Sequence, residues 1–243
     1  MITVDFTRLH LAPGTSLLDV GCGAGRHSFE AYRRGADVTA FDMSEKDLLD
    51  VKAMFAAMAD AGESGPGGDA DTVHGDARSM PFPDASFDRV IAAEVLEHIH
   101  EDTAVMAEIV RVLKPGGLGV VTVPRWLPEK VCWLLSDAYH ANEGGHIRIY
   151  TRDVLEQRLR AAGLEVLGHH HAHALHSPYW WLKCAVGVDR DDAAAVRAYH
   201  RLLVWDMMQA PKLTRWTERA LDPLIGKSLV VYVRRPAGGE RAA

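Results

Sequence analysis

The chain has 243 residues, 48% of them hydrophobic and 25% charged. This is enough apolar material for one sizeable core with an elaboration, and it excludes a disordered or fibrous chain. The formal net charge of -6 leaves no basic footprint, which argues against nucleic acid as the main partner.

Residues 1–16 read as a short leader ending in the turn Pro13-Gly14, and Asp5 and Arg8 deny it the apolar run of a signal peptide. Residues 17–20 are an apolar run that passes directly into Gly21-Cys22-Gly23-Ala24-Gly25 and then into the helix-compatible segment 26–34. The pattern predicts a buried parallel strand, a tight turn and a helix start. Glycines there let the main chain take positive φ and approach a ligand, while the first free N–H groups of the helix face an anionic group. A dinucleotide fingerprint spaces its glycines G-x-G-x-x-G to admit a pyrophosphate. Here the spacing is G-x-G-x-G, with Arg26 where the third glycine would fall and Asp19 just before the turn. A carboxylate at that point repels a pyrophosphate and suits a ligand with a cationic group.

The run Leu18-Asp19-Val20-Gly21-Cys22-Gly23-Ala24-Gly25 resembles the first motif of the class I S-adenosylmethionine (SAM) dependent methyltransferases, in particular the small-molecule branch that includes quinone and isoprenoid-lipid methylases. The resemblance implies SAM as cofactor and S-adenosylhomocysteine (SAH) as product. It also implies that Asp19, Gly21, Cys22, Gly23 and Gly25 surround the methionine part.

Gly35 is a helix stop, and residues 36–41 predict a second strand ending at Asp42. A strand-end carboxylate nearly twenty residues past the glycines is where a doubly wound fold meets a ribose diol. A helix N-cap shared with Ser44 is the competing role, and Met43 joins Asp42 as a cofactor candidate. Residues 44–61 carry Leu48, Val51, Phe55 and Met58 at helical spacing. Residues 62–70 are a glycine-rich and acidic loop. Residues 71–74 predict a third strand running into Gly75-Asp76-Ala77. On its own Asp76 reads as a turn residue; the resemblance assigns its carboxylate to the adenine amine and the Ala77 N–H to a ring nitrogen.

Residues 80–84 break regular structure, and 86–92 predict the fourth strand. It ends in Ala93-Glu94-Val95-Leu96-Glu97-His98-Ile99, where Glu94 and His98 share a face if the chain is helical from Val95. The family carries a similar run along the methionine end of SAM and the substrate entrance, which makes Glu94 a cofactor contact and His98 an acid-base or orienting candidate. Residues 102–113 predict a helix stopped by Lys114-Pro115-Gly116-Gly117, and 118–123 a fifth strand.

Residues 124–150 are too long for an ordinary strand-to-helix loop. They contain Trp126, Trp133 and Tyr139 and end in Gly144-Gly145-His146-Ile147-Arg148-Ile149-Tyr150. A helix over 151–162, N-capped by Thr151, and a strand over 164–168 follow. The segment 177–225, with Tyr179, Trp180, Trp181, Tyr199, Trp205 and Trp216, then intervenes before a last strand over 228–234. Segments 124–150 and 175–227 are expected to form a helical, aromatic-rich cap, with Trp126, Tyr150, Tyr179 and Trp180 as substrate candidates and most other aromatics as packing. Residues 1–123, 151–174 and 228–235 form the core, and 236–243 a disordered tail.

In the histidine-rich run 169–176, alternation puts His169, His171 and His173 on one face, but no neighbouring Asp or Glu completes a metal set, so no metal is expected. His171 and His173 are instead candidate general bases, beside His98 and His146, with His146 preferred.

The expected architecture is α/β: a Rossmann-like seven-stranded mixed sheet, last strand antiparallel, with helices on both faces and the added cap. The expected reaction is methyl transfer to an oxygen or activated carbon of a mainly apolar small molecule. The alternatives are a regulatory module that holds SAM or SAH without transfer and an NAD-dependent oxidoreductase, the latter opposed by Asp19 and the glycine spacing. Cys22, Cys132 and Cys184, odd in number and without a C-x-x-C pair, fit a reduced cytoplasmic protein. No run is long enough to span a bilayer. The partner is a lipophilic acceptor, peripheral membrane contact stays open, and the chain is expected to be a monomer or homodimer.

Overall fold

The computed structural model describes residues 1–141 and 145–238. Gly144 and the end of the expected tail lie outside the described residues. Seven strands, β1 (Ser16–Val20), β2 (Asp37–Asp42), β3 (Ala70–His74), β4 (Phe87–Ala93), β5 (Leu113–Pro124), β6 (Glu165–Ala172) and β7 (Ser228–Arg234), form one sheet in the order β3-β2-β1-β4-β5-β7-β6. The pairs from β3 through β5 are parallel, and β7 runs antiparallel to both β5 and β6. The strand order reverses between β1 and β4. In an open parallel sheet this opens a crevice at the carboxyl ends of those strands.

The unbroken apolar runs have a simple cause: the central strands are covered on both faces. Leu18, Val90 and Ala92 pack with Met106, Ile109, Leu155 and Leu159 on one side, beneath α3 (Asp102–Val112) and α6 (Arg152–Ala161). Their neighbours Leu17, Val38 and Ile91 pack with Ala31, Tyr32, Val51 and Phe55 on the other, beneath α1 (Arg26–Arg33) and α2 (Glu45–Asp60).

Three local expectations are corrected. Residues 114–117 do not simply separate a helix from a strand. They are an excursion within β5, whose pairing jumps from Phe87↔Leu113 to Arg89↔Leu118, with Gly116 at φ +78° supplying the bend. The helix expected from Val95 is a single 3-10 turn, Leu96–His98, because Glu94 adopts φ +59° and turns the chain sharply off β4. The alternation of histidines ends at Ala172: His169 and His171 are neighbours with centroids 5.9 Å apart, His170 stacks on Tyr232 at 5.6 Å, and His173, at φ +69°, leaves the strand pattern.

The insertions are helical. Residues 124–150 contain α4 (Trp126–Leu135) and α5 (Asp137–Ala141); the later segment forms α7 (His176–Val186), α8 (Ala194–Gln209) and α9 (Lys212–Ile225). α4 packs on α7, where the Trp181 indole N–H donates to the Pro128 carbonyl at 3.1 Å. Tyr179, Val196 and Leu203 make a small separate core between α7 and α8. Among the described residues no helix is long and apolar enough to cross a membrane.

Candidate active site

The glycine loop is forced by its surroundings. Gly21 has φ +65°, and a Cβ there would stand 2.5 Å from Val95 Cγ2; Gly23 has φ +50° but faces open space, with no protein atom within 4 Å of a Cβ. Gly25, at φ +76°, is the N-cap of α1. The loop is fastened to the next strand by Asp42, whose Oδ2 accepts from the Gly23 N–H and whose Oδ1 accepts from the Ser44 N–H, both at 2.8 Å. Ser44, not Asp42, caps α2, its hydroxyl accepting from the Asp47 N–H. Each Asp42 oxygen retains a second lone pair for a ligand.

Beside this loop lies a cavity of about 370 Å³, bordered by Gly21, Asp42, Met43, Asp76, Ala77, Glu94, Val95 and His98. The volume lies in the range of small-molecule sites. Met43 stands at the rim, 75% exposed. Asp76 is gripped by Arg78, through Nη2 at 2.6 Å and Nε at 3.0 Å, while Arg78 Nη1 reaches Glu101 at 3.1 Å. Those hydrogen bonds hold the Asp76 carboxyl below the usual carboxylate range.

The sequence-picked residues thus fall into two groups. Gly21, Asp42, Met43, Asp76, Ala77, Glu94 and His98 share one cavity. Asp19, Cys22, Gly23 and Gly25 do not border it. Asp19, 1% exposed, sits behind the loop and accepts from the Ser28 hydroxyl at 2.6 Å. Burial raises its pKa to about 6. It joins β1 to the first turn of α1. Burial also raises the Cys22 thiol, which is therefore no nucleophile.

The residues behind Glu94 and His98 are chemically richer. Glu94, held at positive φ, accepts from the Thr122 hydroxyl at 2.8 Å. Such a backbone conformation in a non-glycine residue is commonest at functional sites. Next to it Glu97 is 0% exposed, and neither of its carboxylate oxygens has a hydrogen bond. Burial, reinforced by the charge of Glu94, pushes its pKa well up. His98 Nε2 lies 3.9 Å from Glu97 Oε1, and the rings of His98 and His146 are 5.0 Å apart. His146 Nδ1 is 2.5 Å from Oε1 of Glu129. Glu129 in turn accepts from the Trp133 indole N–H and the Tyr139 hydroxyl, each at 3.2 Å, and faces Lys227 at 3.8 Å. Burial alone would raise the Glu129 pKa; the His146 hydrogen bond and the Lys227 charge hold it below the ordinary value instead. Trp180 closes this side, with Tyr139 at 5.8 Å and the Lys227 ammonium 5.5 Å above its ring.

The other base and substrate candidates lie elsewhere. His171, whose pKa burial lowers to about 4, lines a second hollow of about 320 Å³ with Trp126 and Tyr150. Tyr150 is 2% exposed, and its hydroxyl donates to Asp102, which also pairs with Arg148 at 2.6 Å and with Arg158. Tyr179 belongs to the α7–α8 core, and His173 borders neither hollow, its Nε2 lying 3.1 Å from the Thr3 hydroxyl. His169, His171 and His173 are not gathered as one ligand set among the described residues; two other groups come together instead, His173 and His176 with Glu218 from α9, and His98 and His146 with Glu97. Sequence reasoning gave no role to Glu97, Glu129, Tyr139 or Arg78. Only the first had a signal, its place within the quoted run Glu94 to His98.

A glycine loop tied to a strand-tip carboxylate, beside a cavity at the switch point of a parallel sheet, defines a Rossmann-like nucleoside-binding domain. Residues 18–121 match the family described as methyltransferase domain. The chain is 29% identical over 234 residues to a sterol 24-C-methyltransferase of Gibberella zeae, covering 89% of this chain and 54% of that one. It is 33% identical over 160 residues to a 27-O-demethylrifamycin SV methyltransferase of Amycolatopsis mediterranei, covering 65% and 56%. The chain thus spans about half the length of these relatives. A SAM-dependent methyltransferase of Methanosarcina mazei shares the fold at a TM-score of 0.65 and 16% identity, covering 97% of this chain and 99% of that one. Residues 18–121 thus resemble the domain of the SAM-dependent methyltransferases, which take SAM as cofactor and release SAH. The residues present fit SAM: the carboxylates of Asp42 and Asp76 border one cavity with Gly21 of the glycine loop.

Proposed function

We propose that the chain moves a methyl group from SAM to an oxygen or activated carbon of a mainly apolar small molecule of aromatic, quinone-like or isoprenoid type. The observation that carries this reading is that Gly21, Asp42 and Asp76 border the same hollow as Glu94 and His98. In this reading Asp42 takes the ribose diol and Asp76 with Ala77 takes the adenine. The loop receives the methionine part, with Asp19 bracing it from behind through Ser28. SAM supplies the electrophilic methyl. The chain's own task is to align the acceptor behind it, handle the acceptor's proton and keep water out. The Glu97, His98 and His146 cluster is suited to the proton, and the Tyr139 and Trp180 rings to an apolar acceptor. The sterol and rifamycin named for the relatives support an apolar acceptor. The buried free thiols of Cys22, Cys132 and Cys184 support a reducing, cytoplasmic setting.

The test is calorimetric titration of the purified chain with SAH, followed by mass spectrometry of a panel of sterols, quinones and phenolic polyketides incubated with SAM. Saturable SAH binding, weakened in Asp42→Ala, and a gain of one methyl on a panel member are expected. Absence of SAH binding overturns the reading; SAH binding with no acceptor methylated favours a regulatory module instead.

A further inference from the structure

We infer that Glu97, His98 and His146 are the protein ligands of a divalent transition-metal ion beside the cavity that His98 lines, with Glu129 orienting the site. One donor atom from each of the three lies within 4.8 Å of the others. Ligands around such an ion stand about 3.4 Å apart, given metal–ligand distances near 2.1 Å, and small side-chain rotations close the difference.

Glu97 is the first argument. A fully buried carboxylate with neither oxygen hydrogen-bonded is among the costliest arrangements a fold can hold, and folds that contain one protonate it, pair it or give it to a cation. The groups around it supply little of that charge: Glu94 and Glu129 are acids, and Lys227, whose charge also reaches Glu97, pairs with Glu129 at 3.8 Å. The facing group is His98, 3.9 Å away.

His146 supplies the second argument. A metal-bound histidine almost always gives its other ring N–H to a carboxylate, which fixes the tautomer. His146 Nδ1 meets Glu129 at 2.5 Å, and Glu129 is itself 1% exposed and held by Trp133 and Tyr139. With the proton on Nδ1, Nε2 carries the lone pair a metal needs. The second cluster, His173, His176 and Glu218, is weaker, because Arg215 already neutralises Glu218 at 3.0 Å.

Two imidazoles and one carboxylate suit zinc, iron, cobalt or manganese better than magnesium or calcium, and three protein ligands leave positions open, as in catalytic sites. An acceptor hydroxyl or enol bound there loses its proton to water at a lower pH. Its oxygen lone pair then forms the O–CH₃ bond as the S–CH₃ bond breaks, with the electron pair left on sulfur to give SAH. That role rests on the methyl-transfer reading; metal binding does not.

The experiment uses the full chain stripped with EDTA and titrated calorimetrically with Co²⁺ and with Zn²⁺, with visible absorption following the cobalt. One equivalent per chain with cobalt d–d bands is expected. Glu97→Gln and His146→Ala should each weaken binding at least tenfold, and Glu129→Gln by about 10- to 100-fold. SAH titration of the same variants should be unchanged and reports folding and the cofactor site separately. No stoichiometric uptake of either ion by the stripped wild-type chain overturns the inference, as does full-affinity uptake by Glu97→Gln and His146→Ala. Loss of SAH binding in wild type with metal uptake intact would overturn the methyl-transfer reading and leave the metal site standing.

Discussion

Gly23 and Asp42, nineteen positions apart, are joined by a 2.8 Å hydrogen bond from the main-chain N–H of the first to Oδ2 of the second. The loop after β1 and the tip of β2 therefore form one unit, and the second Asp42 oxygen extends it to Ser44 at the start of α2. A ligand that touches Asp42 touches a carboxylate already fixed by two backbone donors.

Asp42→Ala removes both acceptors and the ligand contact together. Hydrogen bonds to a charged group contribute about 1.5–3 kcal/mol each, so SAH affinity should fall at least tenfold by calorimetry, with a loss of about 1–3 kcal/mol of stability in urea. Asp42→Asn, which keeps one oxygen, should fall between wild type and Ala in both. Wild-type affinity in the Ala variant would remove Asp42 from the site.

Gly21 and Gly23 should separate stability from binding. Alanine at 21 meets Val95 at 2.5 Å and an unfavourable φ at once, so the fold and the cavity wall both suffer, with a cost of about 2 kcal/mol or more. Alanine at 23 meets no protein atom and carries only the left-handed penalty of about 1–2 kcal/mol. It should remain folded by circular dichroism, and in the proposed SAM-binding reading its methyl meets the ligand across the open space beside the loop, lowering SAH affinity more than tenfold. Unchanged SAH affinity in Gly23→Ala would show that the ligand does not approach that face of the loop.

The legible parts of this molecule are those written in consecutive residues. Leu17 and Leu18 face opposite sides of a sheet covered on both, so their run reads as a parallel strand, and Asp42 and Asp76 are found because each ends a strand. The cluster of Glu97, Glu129 and His146 is assembled from the turn after β4, a helix of the insertion and the loop beyond it. Nothing in a sequence distinguishes a glutamate such as Glu129 from the solvated glutamates of any helix. Tyr150 illustrates the same limit. Its aromatic ring suggested a substrate contact, but the partner that fixes its hydroxyl, Asp102, lies 48 residues earlier at a position that reads as an ordinary first-turn acid.

Asp102 and Tyr150 should accordingly prove structural. Asp102 is the shared acceptor of the Tyr150 hydroxyl, Arg148 and Arg158. Its replacement by alanine leaves the buried Tyr150 hydroxyl unanswered and takes the partner from two partly exposed arginines, with an expected loss of about 2 kcal/mol or more. Tyr150→Phe keeps both arginines on Asp102 and should cost about 1 kcal/mol. SAH affinity in Tyr150→Phe should stay within about twofold, since Tyr150 does not border the cofactor cavity. A tenfold change would return Tyr150 to the site.

Asp19 gives the pH dependence. Its folded pKa, raised to about 6 by burial, lies above the unfolded value near 3.9, so between those values the folded chain binds more protons than the unfolded one. Stability contributed by the neutral carboxyl is present below about pH 4 and is lost as pH rises through about 6. At about 1.4 kcal/mol per pKa unit the loss approaches 3 kcal/mol. Asp19→Asn cannot ionise, so urea unfolding of wild type and variant at pH 4 and pH 7.5 isolates the effect. The stability of the variant relative to wild type should improve by about 2–3 kcal/mol on going to the higher pH. The improvement must saturate above about pH 7, because both states of the wild-type carboxyl are ionised there. A difference that stays flat across the range, or one that moves in the opposite direction, would mean that Ser28 and the neighbouring main chain stabilise the Asp19 anion as well as water does.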